Sequence, residues 1–156
     1  MDLHKGGKIE MLESISILNL MIKDHKKIND LILKLDEKSK EDFESMKKAF
    51  RKFEWELEKH IFTEEKAIFT SYNPSNIVEG YKMLPELTKQ HNYIVNTLNN
   101  WREDIKKNRM IKDVYSFKEF LDNHRNFEEE KVYPKLDQGL TEDEKRHIVA
   151  KINEII

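Results

Sequence analysis

Residues 43–68 read FESMKKAFRKFEWELEKHIFTEEKAI, and Phe43, Met46, Phe50, Phe53, Leu57, His60, Glu64 and Ile68 follow one another at steps of three and four. That spacing tracks the 3.6-residue turn of an α-helix, so one stripe of the segment faces a core along its whole length. Three more stretches carry the same pattern. Leu18, Met21, His25, Ile28, Ile32 and Leu35 form the first. Leu84, Leu87, His91, Ile94, Leu98, Trp101 and Ile105 form another, and Val114, Phe117, Leu121, His124, Glu128 and Val132 the last. Helices with such seams pack at a shallow angle into bundles. The sequence therefore predicts an all-α, up-down-up-down four-helix bundle.

Punctuation agrees. Ser39-Lys40-Glu41-Asp42 offers an N-capping pattern before the second stretch. Ser71-Tyr72-Asn73-Pro74-Ser75-Asn76 gathers breakers and side chains that compete for backbone bonds, so it reads as a loop. Pro85 sits at the first turn of the third helix or inside a longer one that starts near Ile77. Lys106 to Arg109 is a polar turn, and Pro134 followed by Gly139 closes the fourth helix. Thr141-Glu142-Asp143-Glu144 is a capping box, which opens a short additional C-terminal helix with Ile148, Val149, Ile152 and Ile156 on its apolar face. That helix is expected to cover its own bundle. The division is a single domain over 1–156: a lead-in at 1–13, the bundle at 14–138 and the last helix at 141–156.

Composition narrows the chemistry. The 156 residues include no Cys, which excludes disulfide frameworks, thiolate zinc sites, Cys-ligated iron–sulfur clusters and thiol catalysis. No apolar run is long enough for a membrane span or a signal-peptide core. Lys+Arg 28 against Asp+Glu 30 gives a net charge of −2, which offers no field for nucleic acid or acidic membranes. The basic stretch Lys47-Lys48 and Arg51-Lys52 has acids on both sides and reads as a solvated helix face. A cytoplasmic protein without nucleic-acid or membrane partners is expected, as a monomer or weak homodimer.

The informative residues are the polar ones on the apolar stripes. Each stripe holds one His, and two of them hold a Glu four residues later, as His60-x-x-x-Glu64 and His124-x-x-x-Glu128. Residues four apart stack on one helix face, so each pair aims at one volume. Carboxylates buried there without partners would cost several kcal/mol each. Depth follows from counting: the midpoint of His25 and His60 falls beside Asp42, that of His60 and His91 at Ser75–Asn76, and that of His91 and His124 at Lys107–Asn108. All three lie on or beside the turns already placed. In an up-down bundle the four imidazoles then share one layer, contributed by two similar hairpins, each giving a His and then a His with a Glu. Nitrogen and oxygen donors without sulfur suit iron, manganese or zinc. Four imidazoles and two carboxylates are too many for one tetrahedral zinc; they suit two metals about 3.5–4 Å apart, bridged by carboxylates. His-Glu-x-x-His is absent, and the ferritin-type Glu-x-x-His occurs only at Glu144 to His147, outside the seam.

The order His25, His60-x-x-x-Glu64, His91, His124-x-x-x-Glu128 closely resembles the hemerythrin-like cation-binding domain family, over roughly residues 14–138. The resemblance implies an up-down four-helix bundle around two iron ions in a non-haem di-iron centre. It implies that His25 and His60 bind one iron and His91 and His124 the other, with Glu64 and Glu128 as bridges. Oxygen-carrying members have a further His one turn after the third-helix His, where this chain has Val95, and their last carboxylate is an Asp five residues after the fourth-helix His. Here Glu128 stands at four and Glu129 at five; Glu128 is preferred because its spacing matches the first pair. With Val95 in the layer, both metals are expected to keep exchangeable positions.

Other residues receive plainer readings. His4 and His147 have no partner pattern and are expected on the surface. Glu56, one turn before His60, is a boundary residue or an outer hydrogen-bond acceptor, with metal ligation the lesser reading. Trp101 belongs to the core and Trp55 to the surface. The leading functional expectation is a di-iron protein that binds or senses a small ligand: oxygen, nitric oxide or peroxide. The alternatives are an oxidoreductase consuming peroxide or nitric oxide, and a protein of iron storage, delivery or sensing.

Overall fold

The computed structural model describes residues 16–71 and 78–155. Among these it is helical with no strand. Four helices build the bundle: α1 (Ile17–Lys38), α2 (Phe43–Thr63), α3 (Val78–Lys106) and α4 (Val114–Phe127). Two more follow, α5 (Tyr133–Gly139) and α6 (Glu142–Ile155). The lead-in through residue 15, Tyr72–Asn76 of the expected loop, His4 and Ile156 lie outside the described residues.

Local chemistry sets the helix ends. Ser16 caps α1 by accepting from the Asn19 N–H at 3.0 Å. Asp42, with extended backbone, caps α2 by accepting from the Ser45 N–H at 2.9 Å. Ser39, expected to open that cap, instead closes α1, its N–H bonded to Leu35 O. The capping box of α6 forms in both directions: Thr141 Oγ1 accepts from the Glu144 N–H and Glu144 Oε1 from the Thr141 N–H. Helix α3 runs through Pro85 rather than starting at it.

Neither α2 nor α4 stays α-helical to the end of its stripe. At Glu64 the chain enters a π turn, Glu64–Ile68, and at Glu128 another, Glu128–Val132. The Phe69 N–H bonds Glu64 O and the Tyr133 N–H bonds Glu128 O, each five residues back. Such turns are rare and gather at functional sites. Each inserts a residue into the helical count, which re-aims everything beyond the Glu.

The helices close a ring. Phe50 of α2 lies edge-on to Trp101 of α3, and Trp101 lies edge-on to Phe117 of α4. Two apolar clusters fill the inside. One is built on Ile28, Ile32, Phe50, Phe53, Leu57, Ile94, Leu98, Trp101, Phe117 and Leu121. The other joins Ile17, Met21, Ile68, Leu87, Val132 and Leu136 to Ile148 and Ile152 of α6. Helix α6 thus covers its own bundle. The seam histidines fall in the polar layer between the two clusters, walled by hydrocarbon on both sides.

Candidate metal centre

The residues along each stripe would normally be apolar; here each of the four bundle helices turns one imidazole inward. His25, His60, His91 and His124 are at most 6% exposed, and Glu64 and Glu128 are fully buried. The structure brings all six side chains together. One ligating atom each from His25, His60, Glu64 and Glu128 lies within 4.8 Å of the others, and the same holds for Glu64, His91, His124 and Glu128. The two groups share both carboxylates. Glu128 faces them with different oxygens: Oε1 is 3.0 Å from His25 Nε2, and Oε2 is 3.3 Å from His124 Nε2. Glu64 Oε1 sits 3.3 Å from His60 Nε2 and 3.1 Å from His91 Nε2.

Every imidazole is held from behind. His25 Nδ1 is 2.6 Å from Glu129 Oε2, and His91 Nδ1 is 2.9 Å from Glu65 Oε2. His60 Nδ1 is 2.5 Å from Asp24 Oδ2, and His124 Nδ1 is 2.6 Å from Gln90 Oε1. Each acceptor calls for a proton on Nδ1, which leaves Nε2 of all four rings turned inward with a lone pair to give. An oxygen acceptor behind a ligating imidazole fixes its tautomer and raises its basicity. Phe69 stacks on His91 and Tyr133 lies beside His25, at ring distances of 5.9 and 6.1 Å, because the π turns bring residues 69 and 133 round to the layer. The Tyr133 hydroxyl donates to Glu64 Oε2.

Electrostatics and unpaired atoms both fit a cation. Burial alone would lower the His60 pKa, but Glu64, Asp24 and Glu128 outweigh it and hold the ring well above its ordinary value. Burial opposes protonation of His91 too, yet Glu128, Glu64 and Glu65 push it up to about 10. Burial would raise Glu128, whereas His124 and the donors around it hold it well below the carboxylate range. The carboxylates thus demand positive charge, and among the described residues their ionic contacts are to the four imidazoles. His60 Nε2, His124 Nε2 and Glu128 Oε2 are buried without a hydrogen-bond partner. Inward nitrogen lone pairs, shared carboxylates and unpaired buried donor atoms are what two adjacent cations would satisfy.

The other sequence readings sort plainly. Glu129 is the acceptor behind His25 and belongs to neither ligating group. Glu56 also stays outside them, paired with Lys27 at 2.9 Å and Lys59 at 3.1 Å. His147 is exposed, as is Trp55, while Trp101 is core. Val95 does not occupy the layer: it is 42% exposed, because Ile94 and Leu98 take the inward positions of that turn of α3. The expected place of Val95 in the layer is corrected accordingly. Sequence reasoning missed Asp24, Glu65, Gln90 and Tyr133. Asp24 and Gln90 had one visible signal, since each directly precedes a seam histidine in one of the two matching hairpins.

No helix of the described residues is long and apolar enough to cross a membrane. The sequence model described as the hemerythrin HHE cation binding domain matches residues 16–136. No curated protein and no solved structure matches the chain.

Proposed function

Since the chain belongs to the hemerythrin HHE cation-binding domain family, we propose that its metal-binding layer is a non-haem di-iron centre that binds or senses a small ligand. His25 and His60 hold one ion and His91 and His124 the other, with Glu64 and Glu128 shared between them. Two adjacent ferrous ions, when bound there, would supply reducing electrons to a small ligand. The protein's part is to hold four Nε2 atoms inward through Glu129, Asp24, Glu65 and Gln90, and to keep bulk water out with the apolar clusters on either side.

One observation carries the small-ligand reading. Beside the layer lies a cavity of about 20 Å³, lined by His25, His60 and His124, by Ile28, Ile32, Leu57 and Leu121, and by the polar Asn29, Asp122 and Arg125. A water needs roughly 10–15 Å³ of such space, so oxygen, nitric oxide or peroxide fits and an organic substrate does not. The apolar wall favours a weakly hydrated ligand, and the imidazole wall places it at the metals.

Metal analysis of purified protein followed by an anaerobic-to-aerobic optical titration tests the reading. Two irons per chain and a ligand-dependent charge-transfer band with oxygen, azide or nitric oxide are expected. Sustained turnover of peroxide or nitric oxide with a reductant would move the protein to the oxidoreductases. Iron that is present but never gains a band would overturn ligand binding.

A further inference from the structure

The layer has an internal two-fold relation that goes beyond its ligands. His25, His60, Glu64 and Glu129 of one half correspond to His91, His124, Glu128 and Glu65 of the other, and the acceptor contacts behind the rings correspond as well. His25 and His91 both rest on a carboxylate that follows a shared Glu in the opposite hairpin. His60 and His124 both rest on the residue before the first histidine of their own hairpin. At that last pair the relation breaks. Behind His60 is the carboxylate of Asp24; behind His124 is the neutral amide of Gln90.

We infer that Asp24 and Gln90 are positioning residues that make the two metal sites unequal, the His25–His60 site binding its ion more tightly than the His91–His124 site. This rests on the two-metal reading above. A hydrogen bond to an ionised acceptor is roughly twice as strong as one between neutral groups, and it places more electron density on the ligating nitrogen. Asp24 is 6% exposed, and its second oxygen is only 3.4 Å from Lys27 Nζ, so the carboxylate stays aimed at the ring. Gln90 is fixed in the opposite sense. Its Nε2 donates to Glu86 Oε2 at 3.0 Å, which turns Oε1, and no charge, toward His124. The other break in the relation, Tyr133 against Phe69, does not discriminate. Tyr133 donates to Glu64, whose free oxygen is nearly equidistant from His60 and His91. Changes in the acceptors behind metal-bound imidazoles typically shift affinity about 10- to 100-fold, and that is the expected gap between the two sites.

The test is a cobalt(II) titration of the metal-free full chain, without oxygen, followed by visible ligand-field absorption against a competing chelator. Two steps separated by about 10- to 100-fold are expected, with His124→Ala keeping the tight step and His60→Ala the weak one. Asp24→Asn should weaken the tight step alone until the two merge. The exchange Glu86→Gln with Gln90→Glu preserves the bond between these two side chains while placing a carboxylate behind His124. It should strengthen the weak step alone, and it carries the test if Asp24→Asn fails to fold. A merely structural role would move both steps together. Two ions bound equally in the native chain, or either change acting on both steps alike, would overturn the inference and leave the two-metal reading intact. Saturation below two ions would overturn both.

Discussion

Glu128→Gln should cost the protein both of its metal ions, whereas His124→Ala should cost it one. Glu128 presents Oε1 to His25 and Oε2 to His124, so it belongs to both ligating groups, and its replacement removes a charged donor from each. His124 belongs to one group only. The size of the effect follows from what a donor contributes. Four-ligand structural zinc sites bind with about 10–16 kcal/mol, or roughly 2.5–4 kcal/mol per donor, so losing one weakens binding by about 10²- to 10³-fold. Glutamine is nearly isosteric with glutamate, so the fully buried position opens no cavity, and the helical signal should persist. Metal content after gel filtration against a micromolar chelator is the assay. His124→Ala should retain about one ion per chain, and Glu128→Gln close to none, given that two-site sharing. A Glu128→Gln protein that keeps both ions, or a His124→Ala protein that loses both as readily, would refute the shared role assigned to Glu128.

Metal removal should also destabilise the fold. An ion at ~100 times its dissociation constant adds about 2.7 kcal/mol to the native state, so two add about 5 kcal/mol, or roughly 10–20 °C in melting temperature for a chain of this size. Scanning calorimetry with and without chelator checks this, and an unchanged melting point would mean a self-sufficient polar network. The metal-free protein should lose stability as pH rises. The His91 pKa is raised from 6.5 to about 10 on folding, so its contribution is complete below about pH 6.5 and disappears as pH climbs through 10. The loaded protein, whose Nε2 atoms give their lone pairs to metal, should lack that decline; thermal melts across this range distinguish the two. Leu121→Phe should narrow the cavity that Leu121 lines and weaken azide or nitric oxide binding while leaving metal content unchanged. Added volume in a packed interior costs about 1–3 kcal/mol, so a melt accompanies the binding assay.

The six residues that cluster in the polar layer were legible because burial and polarity contradict each other at their positions. An apolar stripe with period 3.6 is a statement about which residues face inward, so His60 and Glu64 in that stripe are conspicuous at once, and the turn midpoints place the four histidines at one depth. The acceptors behind them were not legible for the same reason. Asp24, Glu65 and Gln90 sit one residue away from a stripe position, on helix flanks where a charged or amide side chain needs no explanation. Among 37% charged residues Asp24 and Glu65 carry no contrast in type, and only the place of Asp24 and Gln90 just before a seam histidine marks them. The π turns were hidden as well, since counting by 3.6 continues smoothly from Glu64 to Ile68, and only the Phe69-to-Glu64 and Tyr133-to-Glu128 backbone bonds reveal the inserted residue. Val95 shows the converse failure. A family pattern placed a ligand position there, but a stripe that already spends Ile94 and Leu98 on the interior leaves residue 95 on the flank. Periodicity within this chain therefore outranks position in a relative's pattern. Where the two disagree, the side chain follows the helix it stands on.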